Sequence, residues 1–152
     1  MILLPGVVAG YVPWRYFGVG AATFAPFGAA QLAGLALIVT GATLLGTCVW
    51  EFAHSGRGTL SPIDPPRRLV VRGLYRYVRN PMYLAVTTIL LGEATAARSR
   101  ELLVYWVVFF AVVNVAILVH EEPHLRHRFG ASYVEYCANV GRWIPRLRPP
   151  KA

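Results

Sequence analysis

Acidic side chains are scarce in this sequence: 7 of 152 residues are Asp or Glu, against 15 Lys and Arg, for a formal charge of +8. Charge of either sign is sparse, at 14%, while 56% of the residues are hydrophobic. Soluble domains carry about a quarter charged residues, so this composition excludes an ordinary water-facing globule and points to the membrane class. Cysteine is limited to Cys48 and Cys137 with no CxxC spacing, which excludes a disulfide framework and a cysteine zinc site. The sequence has no Lys or Arg before Arg15 and no small-residue cleavage pattern, so the N-terminus reads as retained rather than as a signal peptide. Internal repeats and low-complexity stretches are missing too. The basic residues flank apolar spans instead of forming a basic face, which argues against nucleic-acid binding and for a role in topology.

What is there comes in blocks. Residues 16–50 and 102–119 contain no charged side chain, and each block can cross a bilayer core of about 30 Å. Residues 2–14 form a weaker first span interrupted by Pro5 and Pro13. Residues 28–52 form the clearest one, with Gly34, Gly41 and Gly46 placed to let a neighbouring helix approach. HSGRGTLSPIDPP (54–66) is too rich in Gly and Pro for a helix and reads as a loop. A short strand-like or helical lead-in follows over 69–78. Asn80 is then a good N-cap, and Pro81 occupies the first helical position of a third span that runs to about Ala97. ARSRE (97–101) is long enough only for a tight turn, so the fourth span, 102 to about 120, pairs with the third as a hairpin. Past Pro123, Leu125, Phe129, Tyr133 and Tyr136 recur at helical spacing with arginines between, the pattern of an amphipathic helix on a membrane surface. The expected architecture is a single all-α, multi-pass transmembrane bundle of about four spans with a C-terminal amphipathic cytoplasmic helix. Its N-terminal spans occupy 1–54 and its chemistry 55–146. Short basic loops stay in the cytoplasm, which puts the arginine-rich lead-in and tail on that side of a cell membrane.

Three features carry chemistry. HEEPH (120–124) spells a zinc-protease pattern, which requires His120 and His124 one helical turn apart around a metal. Pro123 inside that turn opposes a continuous helix, so no metal ligands are assigned and a zinc protease stays as an alternative reading. Glu121 and Glu122 form an acidic pair at the mouth of the fourth span, costly there unless paired. Arg72, Arg76 and Arg79 would share a face if their segment were helical, beside the positive end of the helix after Asn80, which is an anion site in waiting. Positive-inside topology alone would also explain these arginines, leaving a non-enzymatic helical scaffold as a further alternative. Asn114 is expected to bond a neighbouring helix, and Glu93 to lie near the outer surface in a capping or loop role.

RGLYRYVRNPMYL (72–84), followed about forty residues later by HEEPHLRHRFGASYVEYCANVGRWIP (120–145), resembles the isoprenylcysteine carboxyl methyltransferase and phospholipid methyltransferase group. The resemblance covers roughly residues 55–146. It implies an integral-membrane, S-adenosylmethionine-dependent methyltransferase acting on a lipid-borne or hydrophobic acceptor. By motif position it further implies that Leu69, Val70, Tyr75, Asn80, Pro81, Met82, Tyr83 and Glu121 hold the cofactor. Glu122 and Arg79 are the catalytic candidates beside them. Two positions depart from the carboxyl methyltransferases: Asn80 stands where they usually carry histidine, as in the phospholipid enzymes, and Ile117 replaces an arginine expected four residues before the acidic pair.

Overall fold

The structure is a computed structural model that describes residues 3–18, 28–55 and 71–146. Every named element among them is helical. The first, α1, is a helical path of three pieces: Leu3–Gly6, a π turn at Val7–Tyr11, and Val12–Phe17. Pro13 falls at the start of the third piece, and the wider π turn just before it absorbs the missing N–H. The path runs three residues past the expected span and stops at Gly18, which takes the left-handed conformation that favours glycine (φ 65°).

Helix α2, Ala29–Ser55, packs along α3, Pro81–Ala97, and glycine sets how closely. A Cβ on Gly34 would lie 2.6 Å from the Gly92 carbonyl and the Ala96 amide, and one on Gly41 would lie 2.7 Å from the Ala85 carbonyl. Gly46, expected to serve the same purpose, faces open space. Lipid tails are as apolar as leucine, so backbone proximity at small residues, rather than hydrophobic burial, favours this pairing inside a bilayer. At the far end of the pair Gln31 accepts from the Gly28 amide (3.2 Å) and donates to the Ala96 carbonyl (3.1 Å), joining the two helices.

The hairpin turn is short, as expected. Arg98 takes the left-handed conformation (φ 50°), and the Ser99 hydroxyl accepts from the Leu102 amide at 3.2 Å to cap α4, Arg100–Ala116. Here the structure departs from the expected break at Pro123. Helix α4 opens into a π turn at Ile117–Glu121 and continues without interruption as α5, Glu122–Phe129. Pro123 sits in the first turn of α5, where the widened ladder before it leaves room for the ring.

Among the described residues two helical stretches are long and apolar enough to cross a membrane, Ala29–Glu51 and Arg100–Phe129. Helix α3 has 17 residues and is enclosed by its neighbours. Its Val86, Ile89 and Leu90 pack with Ala9 of α1 and with Tyr105, Trp106 and Phe109 of α4. Outward-facing Val104, Val107, Val108, Val112 and Val115 leave α4 an apolar exposed face, which suits lipid. Apolar helices of this kind mark the chain as a membrane protein. The expected C-terminal helix is divided. After α5, Gly130 (φ 53°) turns the chain into α6, Ala131–Asn139. Tyr133 and Tyr136 are buried against Val71, Leu125, Phe129 and Val140 instead of facing outward.

Candidate active site

The segment before α3 is where the expected shared face of Arg72, Arg76 and Arg79 gives way to something else. Residues 73–76 form one turn of 3-10 helix, and Val78 then pairs in an isolated parallel bridge with Gly141. The Arg79 amide donates to the Gly141 carbonyl (2.9 Å) and the Arg146 amide to the Tyr77 carbonyl (2.9 Å), so the C-terminal strip is laced to the lead-in. Gly73 has φ 51°, and a Cβ there would collide with the Glu51 carboxylate. That carboxylate accepts from the Leu74 amide at 3.4 Å. The end of α2 thereby fixes the turn.

Turn and strip deliver their side chains to the mouth of the hairpin. Glu122 is buried, with its carboxylate accepting from Arg79 Nη1 (3.0 Å) and from Arg142 through Nε (2.8 Å) and Nη2 (2.9 Å). The fork from Arg142 is the bidentate geometry a guanidinium suits best, and its bonds to Glu122 hold the Arg142 guanidinium above its ordinary value. Arg79 also reaches Cys137 Sγ (2.9 Å), while its Nε is buried with no partner among the described residues. Glu121, half-buried, accepts a hydrogen bond from the Tyr83 hydroxyl. Two adjacent carboxylates thus end in different states. Two arginines pair with Glu122, whereas Glu121 has a single phenol as its partner.

Tyr75 lies among these groups. Burial pushes its hydroxyl above the usual range, with Cys48, Tyr136, Glu51 and Glu121 pushing the same way, and its carbonyl accepts from the Tyr136 hydroxyl (2.7 Å). Pro81 is buried, and Met82, Tyr83 and Asn80 are half-buried at the start of α3. Asn80 occupies the N-cap position but makes no side-chain cap. Its amide leans instead to the Arg142 carbonyl, at 3.5 Å. The structure therefore gathers Tyr75, Arg79, Asn80, Pro81, Met82, Tyr83, Glu121 and Glu122 at one end of the bundle. Leu69 and Val70 lie outside the described residues. Ile117, in the place of the expected arginine, is 1% exposed inside the bundle.

Three expectations are corrected. Asn114 bonds the C-terminal strip rather than a neighbouring helix: its oxygen accepts from the Trp143 indole at 2.9 Å while its amide donates to the Phe110 carbonyl of its own helix at 2.9 Å, and the Phe110 ring lies 4.9 Å from that of Trp143. Glu93 is buried within α3, 8% exposed, and serves neither as a cap nor in a loop. His120 and His124 do lie on a continuous helix, yet among the described residues no three His, Cys, Asp or Glu side chains come together as a metal would need. Sequence reasoning missed Arg142. It stands in the GRWIP stretch, where its charge was absorbed into topology, and the signal available was the glycine before it, which lets the strip fold tightly on itself, since a Cβ there would lie 2.6 Å from the Ile144 carbonyl.

A family model described as phospholipid methyltransferase matches residues 29–132, from the first turn of α2 into α6. Delta(14)-sterol reductase TM7SF2 of Mus musculus is 27% identical over a match that covers 70% of this chain and 29% of the reductase. The chain thus spans under a third of that curated relative's length. No solved structure matches. The family match takes in more than half of the chain, including the lead-in, the hairpin and the acidic pair, and the chain belongs to the phospholipid methyltransferase family.

Proposed function

We propose that this chain is an S-adenosylmethionine-dependent methyltransferase of the cell membrane that methylates a lipid-borne acceptor at the cytoplasmic mouth of its hairpin. The observation that carries the reading is the contrast between Glu122, paired with Arg79 and Arg142, and Glu121, bonded to the Tyr83 hydroxyl. The methyl donor carries an ammonium, a carboxylate, a sulfonium and an adenosine, and the residues present fit each need. Glu121 suits the ammonium, and the unpartnered Arg79 Nε–H suits the carboxylate. Tyr75, Met82 and Tyr83 offer an aromatic and apolar wall for the adenosine. When bound, the donor supplies an electrophilic methyl group on sulfur.

The protein's part is alignment and exclusion of water, which can supply roughly 7 to 11 kcal/mol of a bimolecular barrier. Glu122 serves as a positioning residue: three charge-assisted hydrogen bonds fix Arg79 and Arg142 around the site. With its one open N–H given to the donor's carboxylate, Arg79 has none left for an acceptor carboxylate, and Arg142 is held in its fork with Glu122. Phosphatidylethanolamine, an amine lipid, is therefore the first acceptor to test. The half-buried site and the lipid-facing flank of α4 support sideways arrival of the acceptor from the bilayer.

Calorimetric titration of detergent-purified protein with S-adenosylmethionine tests the assignment. Saturable binding is expected, with Glu121→Gln and Tyr83→Phe weakening it by about tenfold, the worth of one hydrogen bond to a charged group. Unchanged affinity in both variants removes Glu121 and Tyr83 from the site. The similarity to a sterol reductase motivates a second titration, with reduced nicotinamide dinucleotides. Saturable binding of those without any of S-adenosylmethionine would replace methyl transfer with reduction.

A further inference from the structure

The unbroken helix that carries the acidic pair fixes the depth of the residues around it. Arg100–Phe129 runs for 30 residues, about 45 Å, of which the uncharged stretch 102–119 takes up about 27 Å. A hydrocarbon core is about 30 Å thick, and about 40 to 45 Å with both headgroup layers. With 102–119 in the core, residues 120–129 stand in the headgroup layer at the level of the mouth. This stretch sorts its side chains by direction. Glu122 is buried on Arg79 and Arg142, Glu121 takes the Tyr83 hydroxyl, and Leu125 and Phe129 pack against Tyr133 and Tyr136. His120, Pro123, His124, Arg126, His127 and Arg128 are left exposed, so every outward polar side chain here is an imidazole or a guanidinium. Among the described residues at this end, Glu135 of α6 is the only exposed acid.

Topology explains the arginines but not the imidazoles, because orientation in a membrane is set by Lys and Arg. Position on the helix gives the imidazoles another use. At 3.6 residues per turn His124, His127 and Arg128 fall within about 100° of the α5 circumference, while Arg126 falls on the opposite side. An imidazole has an N–H to give whether neutral or charged, and a guanidinium presents a planar fork that matches phosphate. These donors sit at the depth where lipid phosphates lie, on a side from which both acids of the stretch are turned away. We propose that this face of α5 holds the phosphate of one anionic phospholipid, with Arg128 as its charge partner and His124 and His127 as hydrogen-bond donors. A zwitterionic headgroup would bring its own cation against Arg128, so a lipid of net negative charge is preferred. The site is separate from the candidate active site and does not rest on methyl transfer.

Native mass spectrometry of the detergent-purified protein, mixed with equal amounts of dioleoylphosphatidylglycerol and dioleoylphosphatidylcholine and no methyl donor, tests this. Wild type is expected to retain one phosphatidylglycerol in preference to phosphatidylcholine. The triple variant His124→Ala/His127→Ala/Arg128→Gln should weaken that retention about tenfold, the worth of one hydrogen bond to a charged group or more. Arg126→Gln removes the same charge from the opposite side and should leave it unchanged. Equal loss in Arg126→Gln and Arg128→Gln overturns the proposal, because net charge and not the face would then hold the lipid. Absence of any preference in wild type also overturns it, as does displacement of the lipid by an equal concentration of inorganic phosphate, which would reveal a bare anion site. If the triple variant fails to fold, Arg128→Gln alone decides: full retention of phosphatidylglycerol sinks the idea.

Discussion

At the scale of single residues, the acidic pair shows how one position apart can mean two different electrostatic roles. Glu122 turns inward to two guanidiniums, with side chains 13% and 28% exposed for Arg79 and Arg142, and Glu121 turns toward Tyr83. Removing Arg142 leaves a buried carboxylate with Arg79 alone. Hydrogen bonds to charged groups contribute about 1.5 to 3 kcal/mol, and partial exposure of Arg142 places the expected loss for Arg142→Ala at the lower end, near 2 kcal/mol. A thermal melt in detergent reads it. Arg142→Lys should recover little, because an ammonium cannot reproduce the two-pronged contact. The acidic pair was legible in the sequence as costly and in need of partners. Which arginine answered was not, because Arg142 lies twenty residues away and reaches Glu122 only through the bridge between Val78 and Gly141. Glu93 was misjudged for a related reason: residue type near a helix end says nothing about which neighbour covers it.

At the scale of elements, glycine placement separates contacts from spacers. Leucine at Gly34 or Gly92 must push α2 and α3 apart, since each Cβ would already stand 2.6 to 2.9 Å from backbone of the other helix. Overpacking of this kind costs about 1 to 3 kcal/mol. A Cβ at Gly46 meets no atom within 4 Å and leucine gains helix propensity there, so the melting temperature of Gly46→Leu should equal or exceed wild type. Equal destabilisation at all three positions would refute the close-packed seam. The hairpin was readable because a five-residue turn between apolar runs leaves few alternatives, and Pro81 because proline at a helix start satisfies its own geometry. Pro123 was misread. The rule against interior proline presumes an unbroken ladder of i to i−4 bonds, and the π turn at Ile117–Glu121 removes that presumption in a way no residue pattern announces.

For the whole molecule, the second apolar cluster ties the lead-in, α5 and α6 into one unit, and its tyrosines make that unit sensitive to base. Burial, above all, pushes the Tyr133 hydroxyl up to about 12 and raises Tyr136 as well. In the unfolded chain a phenol loses its proton near pH 10. Between about pH 10 and 12 the unfolded state therefore binds fewer protons than the folded one, so stability, intact below pH 10, falls as pH rises through that window. Melting temperature in detergent should drop across it, and Tyr133→Phe should shrink the drop. The all-helical membrane character was plain from composition. The inward turn of Tyr133 and Tyr136 was not, because a stripe of aromatics among arginines suits a membrane surface and a protein surface equally.

The lacing of residues 141–146 onto 77–79 also orders events in time. Synthesis delivers both arms of the hairpin, and with them Glu121 and Glu122, well before Arg142. Until that residue emerges, Glu122 lacks its fork and the lead-in has no strand to hold it. Insertion of the hairpin into the bilayer can therefore precede assembly of the mouth, whose ion pairs close only once Arg142 has emerged.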